Sequence, residues 1–223
     1  INPNAIIVLN TGSPVNMPWV DKAKSILQSW YAGQEYGNAL FDILKGLVNP
    51  SGKLPTTFPR RIEDTPAYSS YPGENLQMSY DEKLLIGYKW YDRKNIEPLF
   101  HFGHGLSYTN FEYSNLRISN SDKNNFTCSF DIENVGDVSG FETSQCYISF
   151  MNSDEDEPIK KLQGFDKTYI NTGEIEKIEI RLDSKSFSTW NIKTHQWEIK
   201  KGIFNILIGS SSNDIRLKDS INL

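Results

Sequence analysis

Apolar positions in the first part of the chain follow two different periods. AIIVLN, residues 5–10, is an unbroken apolar run halted by TGSP, which is how a strand buried on both faces reads. A second run, SILQSWY, ends at Ala32 and Gly33. In QEYGNALFDILKGL the residues Tyr36, Ala39, Leu40, Ile43, Leu44 and Leu47 fall at i, i+3, i+4, i+7, i+8 and i+11, which predicts an amphipathic helix. NPSG closes it, because Pro50 disfavours a helical Asn49 and Gly52 permits a turn, and GKLPTTFP reads as a short extended segment. Residues 1–59 are thus a βαβα piece with two strands. Parallel strands need a sheet covered on both faces, so the missing strands must come from a segment absent from this chain or from a partner.

The pattern then changes twice. Residues 60–107 are rich in aromatics and prolines with little sustained period, too aromatic for a disordered linker. They predict an ordered connector packed against other domains, with one short helix around residues 81–91. From residue 108 onward, short alternating segments recur between turn residues, as in a β-sandwich. Strands are expected near residues 111–119, 125–133, 142–150, 162–169, 175–182, 197–199, 204–209 and 215–221, with ENVGDVSG, NTGE and KKG as turns. The fold class is α/β followed by all-β, and the sandwich, residues 108–223, is expected to fold alone.

Composition narrows the function classes. The chain has 223 residues, a formal net charge of -5 and no Lys/Arg-rich run, which leaves no basic footprint for nucleic acid. No apolar run approaches the roughly 18 residues of a membrane span, and the first residues lack the features of a signal peptide. The missing initiator Met suggests a fragment or a processed chain. Alternation in FTCSFDI puts Phe126, Cys128, Phe130 and Ile132 on one face, and SQCYISF does the same for Cys146, Ile148 and Phe150, so both thiols read as free core residues rather than a disulfide or metal ligands. Asn125 opens the one sequon, NFT. Two unpaired cysteines and a single sequon favour the cytoplasm over secretion. DEDE, residues 154–157, reads as a solvated loop rather than a calcium site.

Few residues carry candidate chemistry. Gln34 and Glu35 sit where a strand runs into a helix, the edge ligands favour in α/β sheets, although Glu35 reads first as a helix cap. Trp19, Trp30, Trp90 and the connector tyrosines read as packing between domains before they read as sugar platforms. Trp190 and Trp197, on or between strands, would form a carbohydrate-binding surface only as an exposed pair. His101 and His104 in FHFGHGLSYT are three apart, but Gly103 and Gly105 oppose a helix there and no third ligand stands beside them. GxSxG, CxxC, HExxH and Walker motifs are all absent.

WYAGQEYGNALFDILKGLVNPSGKLPTTFP, IGYKWYD, PLFHFGHGLSYTNFEYS, LQGFDKTYINTGE and WEIKKGIFNILIGSSSNDIRL together resemble, in order and spacing, the C-terminal part of glycoside hydrolase family 3, many of whose members are β-glucosidases. The resemblance covers essentially the whole chain. It departs at Lys83, where the family usually has glycine, and at His101 and His104, where the family often has Pro and Tyr. It implies that residues 1–59 end an α/β sandwich domain and that residues 108–223 are a fibronectin type III-like domain. It also implies a retaining β-glucosidase that needs no cofactor or metal, with its nucleophilic Asp and acid/base Glu in an upstream barrel and sandwich segment. No catalytic residue is then expected in this chain, and the FHFGHGLSYT loop is expected to be a hinge. β-Xylosides or other glycosides are alternative substrates, and a noncatalytic carbohydrate-binding or interaction chain is the alternative function.

Overall fold

The computed structural model describes residue 2, residues 4–122 and residues 124–223. Strands β1 (Ile6–Leu9) and β2 (Ser25–Gln28) pair in parallel, with Ile7 beside Ile26 and Leu9 beside Gln28. Their crossover holds only a 3-10 turn, Val20–Lys22, in place of a full helix. Helix α1 (Tyr36–Leu44) follows, shorter than its apolar stripe. Gly46, at φ 71, turns the chain out of the helix before Leu47 can join it, one turn ahead of the expected stop at NPSG. None of its residues is buried, and Phe41, Leu44, Leu47 and Val48 face outward together with Ile6.

The connector begins and ends at one place, because Phe58 and Phe100 form a two-residue β-bridge in which the Phe58 N–H donates to the Phe100 carbonyl at 2.9 Å. Phe58 is fully buried there, edge-on to Phe100 and to Trp30. The expected helix at 81–91 lies further along: α2 runs Tyr88–Lys94, while the residues before it form turns in which Lys83 holds φ 51. A glycine, which the resemblance leads one to expect at this position, would adopt that left-handed conformation more freely than Lys83 does. Helix α2 packs on the sandwich. The Tyr88 ring stacks on Phe102 at 4.9 Å and its oxygen accepts the Leu162 N–H at 2.8 Å, while Lys160 pairs with Asp92 at 2.6 Å. On the other side Tyr68, Tyr71, Leu76, Tyr80, Leu84 and Ile86 stay exposed.

The strands after the connector are β3 (Phe111–Asp122), β4 (Asn125–Asn134), β5 (Gly140–Phe150), β6 (Lys161–Ile170), β7 (Ile175–Leu182), β8 (Ser188–Asn191), β9 (Gln196–Ile199), β10 (Ile203–Gly209) and β11 (Ile215–Asn222), of which all but β8 and β9 form the sandwich. The sheet β11-β10-β5-β6 faces the sheet β3-β4-β7, and all the pairings are antiparallel. Strict alternation along β4 and β7 puts Phe126, Cys128, Phe130 and Ile132 against Ile178, Ile180 and Leu182. From the other sheet Cys146, Ile148, Phe204, Ile206 and Ile208 complete the core, while Phe150 lies partly buried at its margin. Cys128 and Cys146 are free and wholly buried, and their mutual hydrogen bond together with burial raises the Cys146 thiol well above its ordinary value. Strand β8 was not expected, and β9 pairs with it as a separate hairpin instead of joining a sandwich sheet.

Asn49, in the NPSG turn, fastens the first piece to the sandwich. Its Oδ1 accepts the Tyr108 N–H at 2.8 Å and the Ser107 hydroxyl at 3.0 Å. The Tyr108 hydroxyl donates in turn to the Ile43 carbonyl at 2.8 Å.

Candidate functional site

The histidine loop is held from both sides. Its Gly103 N–H donates to the Leu54 carbonyl at 2.8 Å, and the Leu54 N–H returns a bond to the His104 carbonyl at 2.8 Å. From the sandwich, Gln145 Nε2 donates to the Gly103 carbonyl at 3.2 Å and the Ser212 N–H to the Phe102 carbonyl at 2.9 Å. Gly103 sits at φ 81, and a Cβ there would strike Gln145; one on Gly105 would strike the Gly52 carbonyl. The expected hinge is therefore a clasp, because strands and side chains fix the backbone wherever a hinge would have to turn.

Each histidine has a separate role in it. His101 Nε2 lies 3.1 Å from Glu97 Oε1, and the His104 ring stacks on Phe100 at 5.3 Å. Burial lowers the His104 pKa, and the nearby Lys53 and His101 add to this, with Asp214 opposing. Among the described residues no group of three or more His, Cys, Asp or Glu is placed to hold a metal ion.

A polar network, buried at Glu142 and more exposed at Arg216 and Asp214, lies beside the clasp. Glu142 accepts the Tyr113 hydroxyl at 2.8 Å and pairs with Lys53 at 3.4 Å. Burial and the Glu142 charge push the Tyr113 hydroxyl far above its ordinary value. Arg216 holds Asp214 through two contacts of 2.7 Å and reaches the Phe111 carbonyl at 3.1 Å. These groups neutralise one another, which suits a structural junction.

At the C-terminal end of the parallel pair a polar rim stands open. Gln28 Nε2 donates to the Thr11 carbonyl at 3.1 Å while its Oε1 is buried without a partner, and Trp30 takes φ 52 as the chain leaves β2. Tyr31 is exposed above Gly12. Gln34 and Glu35 are exposed on this rim. Glu35 occupies the N-cap position of α1 but makes no bond to the helix N–H groups; its carboxylate accepts Asn38 Nδ2 at 2.7 Å, so the expected cap is a side-chain bridge.

The remaining candidates separate cleanly. Trp90 packs, donating Nε1 to the Asp64 carbonyl at 3.0 Å, and Trp19 is half-buried. DEDE is engaged in ion pairs: Asp156 with Lys83 and Glu157 with Lys200, each at 2.6 Å. Trp190 and Trp197 face each other across the β8–β9 hairpin with ring centroids 5.7 Å apart, each about half exposed, and Trp197 lines a cleft of about 540 Å³. The cleft escaped the reading of the sequence because β8 did; the available signal was two tryptophans seven apart around the polar turn KTHQ.

Comparison with known proteins supplies what the geometry leaves open. Residues 1–108 match the glycosyl hydrolase family 3 C-terminal domain, and residues 142–212 match the fibronectin type III-like domain. A thermostable beta-glucosidase B of Acetivibrio thermocellus is 45% identical over 226 residues, aligning with all of this chain and 30% of its own length. The crystal structure of a Bifidobacterium adolescentis GH3 beta-glucosidase superposes with a TM-score of 0.95 at 35% identity, over 100% of this chain and 33% of that one. Beta-glucosidase 3B of Thermotoga neapolitana, in complex with alpha-D-glucose, gives 0.91 at 39% identity, over 97% of this chain and 31% of that one. The chain thus spans about a third of the length of the proteins it matches.

Proposed function

Because the chain belongs to glycoside hydrolase family 3, whose C-terminal portion it carries, we propose that it works as part of a β-glucosidase that releases terminal non-reducing β-D-glucosyl residues. The observation that carries this reading is similarity along the entire chain to proteins named beta-glucosidase, at 35–45% identity. The chemistry is double displacement. A carboxylate attacks the anomeric carbon, a carboxylic acid about 5 Å away protonates the leaving oxygen, and the same group then activates water. In this reading both groups belong to a segment upstream of the parallel pair, and none is assigned to this chain.

This chain's share is to supply two strands and a covering helix to a larger sheet and to brace it against the sandwich. The exposed side chains of Ile6, Phe41, Leu44, Leu47 and Val48 suit that role, since apolar surface of this amount is costly to leave in water. The test is to produce the chain alone and joined to its upstream segment, then assay both on aryl β-glucosides and β-xylosides. Turnover of the glucoside by the joined protein only, abolished when its nucleophilic Asp is changed to Asn, is the expected result. Preference for the xyloside would move the substrate, and a joined protein that binds glycans without hydrolysing them would sink the enzyme reading.

A further inference from the structure

The cleft beside Trp197 lies where the sandwich is open, between the edge strands β6 and β7, and the β8–β9 hairpin and the 3-10 turn Ser184–Phe187 wall it in. At about 540 Å³ it falls in the usual size range of small-molecule sites, roughly 300–1,000 Å³. Its charge is unlike that of the chain. Lys161, Arg181 and Lys185 line it against a single carboxylate, Asp183, in a protein whose net charge is -5. One oxygen of that carboxylate, Oδ1, accepts the Ser186 N–H at 3.0 Å and the Ser186 hydroxyl at 3.1 Å. Among the described residues, no Asp or Glu oxygen lies within 4.0 Å of the three cations.

Two details show that this positive charge is built in. Lys185 Nζ sits over the Trp197 ring at 4.9 Å, a cation–π contact that holds the ammonium against the cleft wall. Lys161 is half-buried near Lys200, which pairs with Glu157 at 2.6 Å; burial lowers the Lys161 pKa, the Glu157 charge opposes this, and the Lys89 and Lys200 charges add to the lowering by smaller amounts. An arriving anion would favour the charged form that burial disfavours. Gln163, Ser186 and Ser188 add neutral hydrogen-bonding groups, and the part of the Trp197 ring left exposed offers an apolar face.

We propose that this cleft is a noncatalytic site for a saccharide bearing a carboxylate or phosphate group, with the anion among Lys161, Arg181 and Lys185 and the sugar ring against Trp197. A neutral glucan fits less well, because it would leave the three cations of the cleft uncompensated. The choice of a sugar over other anions rests on the glycosidase reading; the anion chemistry does not.

The experiment titrates the upstream-joined protein with cellobiouronic acid, glucose 6-phosphate, inorganic phosphate and cellobiose, by calorimetry and tryptophan fluorescence. The expected result is saturable, salt-sensitive binding of one or both charged sugars, the better of the two identifying the anion. Lys185→Gln and Arg181→Gln, both surface changes, should each weaken it about five- to tenfold. Cellobiose binding as tightly as the charged sugars, inorganic phosphate binding as tightly as glucose 6-phosphate, or no binding at about 10 mM ligand would each overturn the proposal. Hydrolysis of a neutral aryl glucoside, measured in the same variants, should be unchanged; its loss would overturn the separateness of the cleft, while binding without any hydrolysis would count against the enzyme reading alone.

Discussion

Asn134 ends β4 out of contact with solvent, and every polar atom of its side chain is used. Its Nδ2 donates to the Val138 and Ile170 carbonyls at 2.9 and 3.0 Å, and its Oδ1 accepts the Thr109 hydroxyl at 2.6 Å and the Gly136 N–H at 3.2 Å. Asn134→Ala should therefore destabilise the sandwich by about 3 kcal/mol in denaturant unfolding, since it strands several buried groups at once. His104 makes a second prediction at this scale. Its folded-state pKa lies below the ordinary value of about 6.5, so as pH falls the unfolded chain takes the proton first and stability drops. The contribution is complete above about pH 6.5 and is lost as pH falls from there towards the folded value. His104→Phe, which keeps a ring on Phe100, should flatten the fall in melting temperature between about pH 7.5 and 5.5; an unchanged slope would assign the effect to other groups. FHFGHGLSYT was legible as a turning loop from its glycines, of which Gly103 takes φ 81. That it is a clasp was not, because Leu54, Gln145 and Ser212 reach it from distant parts of the chain.

Elements were readable in proportion to how strictly one face is buried. β4 and β7 alternate without exception, and their expected spans agree with the structure to within one residue. Helix α2 was placed too early because Leu84, Leu85 and Tyr88 mimic a helical stripe, whereas the left-handed Lys83 turns the backbone away. Strand β8 went unseen because most of hairpin β8–β9 stays exposed; its cross-strand contacts include Trp190 on Trp197, an aromatic pair of a kind that contributes about 0.5–1.5 kcal/mol. Trp190→Ala should accordingly speed amide exchange across residues 188–199 and leave β4 and β5 protected; equal loss in the sandwich core would show that the hairpin is part of it. Helix α1 is the reverse case, correct in period yet uncovered. Replacing Phe41 and Leu44 with Gln should make the isolated chain less prone to self-association in sedimentation and, if the helix faces an upstream domain, should reduce the stability of the joined protein.

The molecule as a whole combines a complete core with an incomplete one. Among the described residues fifteen buried ones close the sandwich between two sheets, while no residue of α1 is buried. Periodicity along the chain already implied this shortage, because two strands were in hand where a covered parallel sheet needs more. What it could not supply was how the incomplete part is held, which depends on the Asn49 contacts, the clasp and the Phe58–Phe100 bridge. That bridge has a further consequence. Since residues 58 and 100 meet, everything between them is a closed loop anchored at its neck, and the covalent path through it is redundant with the non-covalent one. A protease cutting near Tyr71 or Tyr80, both exposed, should therefore give two fragments on a denaturing gel that still elute together under native conditions. Fragments that part under native conditions would mean that the peptide chain, and not the neck, joins the two halves.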